Sequence, residues 1–225
     1  MPVLSPSLVR MELPLSECVQ PINDLVCESV HIDVAEDFVL PKFFSLQTVR
    51  ENVKKFNAQI TLHIFQSPNE TVLDFGFLRQ NDLALLHIFS DTSDDQIIFF
   101  LEKAKNTGCH AGLAIDLSVA PSLIEPYLKD LQTVFVMGIP VATHGLLPDG
   151  STKLRLMEIR QLIRAHESQC RLGLDGGVNE KTFPQFVGLV DELVIGGLLF
   201  HSSNVLHQWQ TLQKIAHDVE YGTSI

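Results

Sequence analysis

Hydrophobic and polar positions along this chain follow two periods, and the switches between them come at regular intervals. Short runs rich in β-branched and apolar residues, many with a period of two, read as strands. Longer runs with apolar residues three and four apart read as helices. Strands are expected at Val3–Leu8, Ser29–Val34, Gln59–Phe65, Leu83–Ile88, His110–Ile115, Thr133–Met137, Arg171–Asp175 and Glu192–Ile195. Helical spacing predicts Leu15–Leu25, Leu46–Phe56, a helix from Pro68 to about Arg79, Asp94–Thr107, Pro121–Leu131, Leu154–His166, Lys181–Leu189 and Ser203–Val219. Asp94–Thr107 has an aspartate as its candidate cap and Gly108 as its stop, and Pro126 is expected to kink or split Pro121–Leu131. The clearest helix is Leu154–His166, basic outside, with Leu156, Ile159 and Ile163 facing in. Before it comes a longer loop, Gly138–Thr152, containing Gly and Pro.

Strands that each precede a helical segment, with no break in composition, predict a parallel sheet that is either closed into a barrel or doubly wound and open. Size allows closure, and the placement of polar groups favours it. The 225 residues lie toward the small end for an eight-fold barrel, which typically has about 250. The candidate polar groups Asp33, His63 and Asp175, with Gly176, Gly177, Gly196 and Gly197, all fall at C-terminal strand ends, the face where barrel active sites sit. The expected fold is therefore α/β, a single-domain (β/α)8 TIM barrel over residues 1–225.

Composition narrows the partners. A hydrophobic content of 45% and a mean hydropathy of +0.17 describe a soluble protein with a substantial core. No apolar run approaches the roughly 18–20 residues of a membrane span, and no basic-then-apolar signal pattern follows Met1. The four cysteines, Cys18, Cys27, Cys109 and Cys170, form no CxxC pair and no zinc-finger spacing, so reduced thiols in the cytoplasm are expected. A net charge of −11 argues against a nucleic-acid surface. It leaves room for a small anion, because backbone N–H groups and helix N-termini hold phosphate without basic side chains.

The chemistry concentrates in three strand ends. In SVHIDVAEDFVLP (Ser29–Pro41), Val30, Ile32 and Val34 alternate with His31 and Asp33, so the imidazole and the carboxylate share a face. On a water-facing edge that would be an ordinary polar face. Helices covering the valine and isoleucine side would instead turn His31 and Asp33 inward, where a metal ion or a reacting substrate offsets the cost of a buried charge. His63, in QITLHIF, is inward on the same logic, and taken alone it reads equally as a hydrogen-bonded core histidine. In LGLDGGV (Leu172–Val178), Asp175 ends a strand and Gly176–Gly177 turns the chain; in ELVIGGLLF (Glu192–Phe200), another glycine pair ends the next strand. Asp-Gly-Gly alone is a common turn, but glycine pairs after strands seven and eight match the usual phosphate position of barrels.

These segments, with Pro6-Ser7-Leu8, the LHI around His63, NTGCHAGLAI (Asn106–Ile115) and the strand ending at Met137, resemble the ribulose-phosphate 3-epimerase family. Its members are metal-dependent phosphosugar epimerases on the barrel fold. The resemblance implies that His31, Asp33, His63 and Asp175 ligate one divalent cation, a donor set suited to zinc, iron, manganese or cobalt. It implies Asp33 and Asp175 as the catalytic pair, one taking a proton from the carbon beside a ketone and the other returning one to the opposite face. Substrate and phosphate contacts are implied for Ser7, His63, Met137, Gly145, Gly176, Gly177, Gly196 and Gly197. The implied reaction is ribulose 5-phosphate to xylulose 5-phosphate, or that of a related phosphosugar, in a cytoplasmic homo-oligomer, a dimer or hexamer.

The chain departs from the family pattern in several places. The glycine-rich loop after strand six reads PVATHGLL (Pro140–Leu147), with Gly145 its main remaining glycine, and Gly197 replaces a serine. Two methionine positions around the substrate read Ala35 and Phe65, Glu36 stands at the next acidic position, and Val9–Leu13 replaces an N-terminal family segment. A reshaped pocket is the simplest reading, and the substrate can therefore differ. The related phosphate decarboxylases on this barrel need a lysine where Ala35 stands, which disfavours their chemistry. A catalytically silent protein that binds a phosphometabolite or a partner is the competing reading; the altered loop and the lost methionines favour it, and the complete ligand set opposes it.

Overall fold

The computed structural model of the chain describes residues 1–35, 43–65, 74, 76–140 and 150–222. Its eight strands are β1 Val3–Pro6, β2 Ser29–Val34, β3 Gln59–Ile64, β4 Leu83–Ile88, β5 His110–Ile115, β6 Thr133–Met137, β7 Arg171–Asp175 and β8 Glu192–Ile195. All run parallel in one sheet, ordered β1-β8-β7-β6-β5-β4-β3-β2. The remaining gap, between β1 and β2, is spanned by a parallel bridge from Ser7 to His31, just past the end of β1. The sheet thus curls into a barrel, as the β/α alternation predicts, and the chain is one domain.

The helices follow in register: α1 Leu15–Leu25, α2 Leu46–Asn52, α3 Asp94–Thr107, α4 Gly150–Ala165, α5 Phe183–Val187, α6 Gly197–Phe200 and α7 Val205–Tyr221. Apolar residues divide into two layers. Outward-facing Val30, Ile32, Val34, Ile60, Leu62 and Ile64 pack under the helices in one large core that also takes Ile22, Val49, Phe100 and Ile159. A smaller cluster, with Leu83, Leu85, Ala114, Phe135, Met137 and Val194, fills the barrel interior. Burial of both strand faces explains why most strands read as nearly continuous apolar runs.

Local chemistry moves several boundaries from their sequence positions. β1 stops at Pro6, and Leu8–Arg10 forms a 3-10 turn. The Leu46–Phe56 helix becomes α2, capped by the Ser45 hydroxyl, plus a 3-10 turn at Val53–Lys55. α3 is capped by Ser93, not by an aspartate: its hydroxyl accepts from the Gln96 N–H while the Gln96 side chain accepts from the Ser93 N–H, a reciprocal capping box. Gly108 ends α3 at φ 81°, as expected.

Pro121–Leu131 is split into two 3-10 turns, Pro121–Leu123 and Glu125–Tyr127, because the Pro126 ring excludes a continuous α-helical ladder. The Lys181–Leu189 helix shrinks to α5, since Asn179 Oδ1 takes the N–H groups of Lys181 and Thr182 into a turn. α4 starts earlier than the sequence suggests, at Gly150, and α7 starts at Val205 behind the side-chain cap of Asn204. The helix expected from Pro68 falls mainly on residues outside the described set, and its described tail, Gly76 to Arg79, is turn rather than helix.

Candidate active site

On β2 the inward row is Ser29, His31 and Asp33; on β3 it is Thr61 and His63, continued past the strand end by Phe65; on β7 it is Arg171, Gly173 and Asp175. Strand β7 can approach because Gly173 has no side chain. A Cβ there would lie 2.3 Å from Cε1 of Phe135, whose ring fills the barrel centre beneath the site. His31 packs beside that ring at a centroid distance of 6.0 Å.

Above Phe135 the four predicted ligands converge, with their donor atoms all within 4.8 Å of one another. His31 Nε2 lies 3.1 Å from His63 Nδ1 and 3.2 Å from Asp33 Oδ1. Asp175 Oδ2 lies 3.4 Å from His31 Nε2 and 3.5 Å from His63 Nδ1, and Asp33 Oδ1 is 3.4 Å from His63 Nδ1. A tetrahedral ion with ligand bonds of about 2.0–2.1 Å holds its donors about 3.3–3.4 Å apart. The spacing, and the pairing of two imidazoles with two carboxylates, therefore fit a divalent transition metal. The Ser7 hydroxyl donates to Asp33 Oδ2 at 3.4 Å, bringing a fifth predicted residue into the group.

The electrostatics agree with a cation site. His31 is fully buried, and burial disfavours its charged form, but the Asp175 and Asp33 carboxylates outweigh burial and push it up to about 9. Burial works against ionisation of Asp33 as well, yet His31 and His63 hold it well below the usual carboxylate range. Positive charge is thus favoured between the two acids, whether carried by a proton or by a metal ion.

The other predicted residues surround this group. Met137 is buried beside it, in strand register with Asp175 and in the inner cluster with Ala35 and Phe65. Gly176 and Gly177 adopt left-handed φ of 100° and 72°, where an ordinary side chain is strained, so the turn after Asp175 requires glycine. Gly196 ends β8, and a Cβ there would lie 2.6 Å from Cγ of Arg10; Gly197 opens α6 with the His201 ring close by. The two glycine pairs therefore follow neighbouring strands, and the second pair lies next to Arg10 and His201, side chains that backbone-only reasoning overlooked. Gly145 and Glu36 lie outside the described residues.

Two further polar groups were missed. His87 on β4 is buried, and its Nδ1 lies 3.3 Å from His63 Nε2. Burial, reinforced by nearby His63, pushes His87 down to about 3, so it is neutral. Period-two reading of LALLHI would have turned it inward with Leu83 and Leu85. Lower in the barrel, buried Glu192 accepts a 2.5 Å hydrogen bond from the Ser5 hydroxyl and lies 4.0 Å from Arg171. Two grooves of about 850 and 910 Å³ open at the opposite end of the barrel, around Cys170, Asp191 and Cys109, Gln132. The chemistry is not there.

Known proteins agree with this geometry. The chain is 25% identical to a ribulose-phosphate 3-epimerase of Buchnera aphidicola from Acyrthosiphon pisum, over 98% of this chain and 96% of that protein. It is 23% identical to the ribulose-phosphate 3-epimerase of Escherichia coli K12, over 84% of this chain and 86% of the relative. Among solved structures, 3-hexulose-6-phosphate synthase from Salmonella typhimurium superposes with a TM-score of 0.67 at 13% identity, covering 96% of this chain and 99% of that one. Mycobacterium tuberculosis tryptophan synthase does so with a TM-score of 0.68 at 12% identity, covering 97% of this chain and 93% of that one. At such identities these structures speak for the barrel alone. The model of the ribulose-phosphate 3 epimerase family matches residues 3–200, carrying every described residue of the converged group, and the chain belongs to that family.

Proposed function

We propose that this chain is a cation-dependent epimerase that inverts the carbon beside the ketone of a ketose phosphate, ribulose 5-phosphate or a related phosphosugar. One observation carries the reading: two imidazoles and two carboxylates converge inside the mouth of the barrel, with their donor atoms within 4.8 Å of one another. His31, Asp33, His63 and Asp175 would hold zinc, iron, manganese or cobalt. When bound, the cation supplies positive charge that favours an oxyanion next to the reacting carbon.

The chain's own residues do the rest. One carboxylate of the Asp33–Asp175 pair takes the proton from the substrate carbon, leaving an enediolate. The other, starting protonated, returns a proton to the opposite face. The two protonation states exchange in each turnover and are restored by the reverse reaction or by solvent. Ser7, hydrogen-bonded to Asp33, steadies that carboxylate and offers its hydroxyl to the substrate. Gly176, Gly177, Gly196 and Gly197 are the proposed phosphate cradle. Met137, Phe65 and Ala35 form the apolar wall that limits water around the enediolate.

The chain is proposed to work in the cytoplasm as a homo-oligomer. Its four cysteines are free thiols, and among the described residues no helix is long and apolar enough to cross a membrane. The test is a panel of pentulose and hexulose phosphates incubated with cation-loaded protein in deuterated water. Inversion with deuterium entering at the inverted carbon supports the reading. Tight phosphosugar binding without exchange would favour the silent binding protein, for which Ala35, Phe65 and Gly197 are the supporting substitutions.

A further inference from the structure

His63 presents its two ring nitrogens to two different environments. Nδ1 faces Asp33 and Asp175, at 3.4 and 3.5 Å, while Nε2 faces Nδ1 of His87 at 3.3 Å. A cation can be ligated by His63 Nδ1 only if that nitrogen is bare, and the neutral ring then carries its proton on Nε2. The Nε2–H is buried and needs an acceptor, and His87 Nδ1 is the atom in reach.

His87 is held for this task. It is 1% exposed, with the ring of Phe65 at 4.8 Å and that of Phe89 at 4.6 Å, and its own Nε2 has no hydrogen-bond partner among the described residues. A histidine buried only for packing would be expected to satisfy both nitrogens or to be replaced by an apolar ring. This one leaves one nitrogen unpaired and spends the other on His63.

We propose that His87 is a positioning residue for the cation site: its Nδ1 accepts the Nε2–H of His63 and fixes His63 in the tautomer that turns a bare Nδ1 toward Asp33 and Asp175. The proposal rests on the cation reading above. Partners of this kind, hydrogen-bonded to a ligand rather than to the metal, typically contribute about 10–100-fold in affinity.

Two substitutions separate the hydrogen bond from packing. His87→Phe keeps a ring between Phe65 and Phe89 but has no acceptor. His87→Asn loses the ring but places its Oδ1 where Nδ1 now sits. Zinc affinity of the full-length, chelator-stripped protein, read by competition with a chromogenic chelator, should fall about 10–100-fold in His87→Phe and recover most of that in His87→Asn. Wild-type affinity in His87→Phe overturns the proposal, as does an equal loss in both variants, which would show that an acceptor at this place does not hold the site.

A second measurement needs no variant. Long-range proton–nitrogen NMR of the zinc-loaded wild type should find the proton on His63 Nε2 and none on His87 Nδ1, and the reverse arrangement overturns the proposal. If the wild type takes up no zinc, manganese or iron at all, the cation reading falls and this one with it. If it takes up metal while both tests above fail, only the role of His87 is lost.

Discussion

Raising the pH should destabilise the protein stripped of cations, and His31 decides by how much. Its imidazole is pushed from an ordinary value of 6.5 up to about 9 in the fold, because Asp175 and Asp33 outweigh the effect of burial. The folded value lies above the unfolded one, so the bound proton stabilises the fold. That contribution is whole below about pH 6.5 and is lost as pH rises through about 9. The gap between the two values amounts to roughly 3 kcal/mol at full protonation, of which about half disappears between about pH 7 and 8.5.

Other groups stay out of that window. His87, pushed down to about 3, contributes stability above its ordinary value that is lost only as pH falls below it. Asp33, held low by its histidines, contributes stability that is lost only in acid, as pH falls through its folded value. Burial pushes the Cys18, Cys27 and Cys109 thiols up to about 11 and Cys170 up to about 12, so their ionisation in the unfolded chain weighs mainly above about pH 8.5.

Thermal melts of chelator-treated protein at constant ionic strength should therefore drop by about 3–7 °C from about pH 7 to 8.5. Zinc loading at about pH 7 should release about one proton per ion from this site, measurable by calorimetry in buffers of different ionisation enthalpy, and should flatten the slope. Equal or greater stability of the stripped protein at the higher pH, or loading without proton release, would refute the picture of a proton standing in for the cation.

Three more outcomes follow from the same geometry. Asp33→Asn and Asp175→Asn should each lower epimerisation about 10²–10⁴-fold with metal still bound, and a variant that exchanges the carbon-bound proton without inverting has kept the base and lost the acid. Gly173→Ala would push a methyl group to 2.3 Å from the Phe135 ring and should cost about 1–3 kcal/mol in urea unfolding, with Phe135→Leu recovering part of the loss in the double variant. Val26, 83% exposed at φ 52° after α1, is a β-branched residue in left-handed backbone, so Val26→Gly should stabilise by about 1 kcal/mol; unchanged or lower stability counts against that strain.

Strands were legible to the residue at Ser29–Val34, Leu83–Ile88, His110–Ile115, Thr133–Met137, Arg171–Asp175 and Glu192–Ile195. Burial on both faces writes itself into such segments as apolar runs bounded by turn residues. Helix ends were less legible, because they depend on which side chain wins the cap. Ser93 won over the aspartates of α3 by pairing reciprocally with Gln96, a choice that spacing alone does not rank. The ligand set was legible because each member ends a strand in a distinctive segment. His87 and Glu192 were not, since each matters through neighbours on other strands: β4 brings His87 to His63, and β1 brings Ser5 to Glu192. The partnership of Gly173 with Phe135 was hidden for the same reason.

Ala35 and Phe65, two of the described departures from the family pattern, lie on the wall of the site, while the ligand shell is complete, and that division favours a working site over a silent one. Two imidazoles and two carboxylates set among Phe135, Met137 and Phe65 carry a large desolvation penalty, and apolar residues in their place would usually be neutral or stabilising. A protein that only held a phosphate at the β7 and β8 ends would gain nothing from keeping them. On the proposed function, substrate shape is the property expected to have changed, and it should respond to substitution separately from metal affinity. Ala35 is the cleanest place to ask. It is 9% exposed, joins Phe65 and Met137 in the inner cluster, and donates its backbone N–H to Phe44 rather than holding a ligand. Ala35→Met should leave zinc affinity within about twofold of wild type. It should shift the ratio of kcat/KM between pentulose and hexulose phosphates by about tenfold or more, the scale of a few methylenes in a pocket. An unchanged ratio, or a loss of zinc as large as that of His63→Ala, would show that wall and ligands are not separable here.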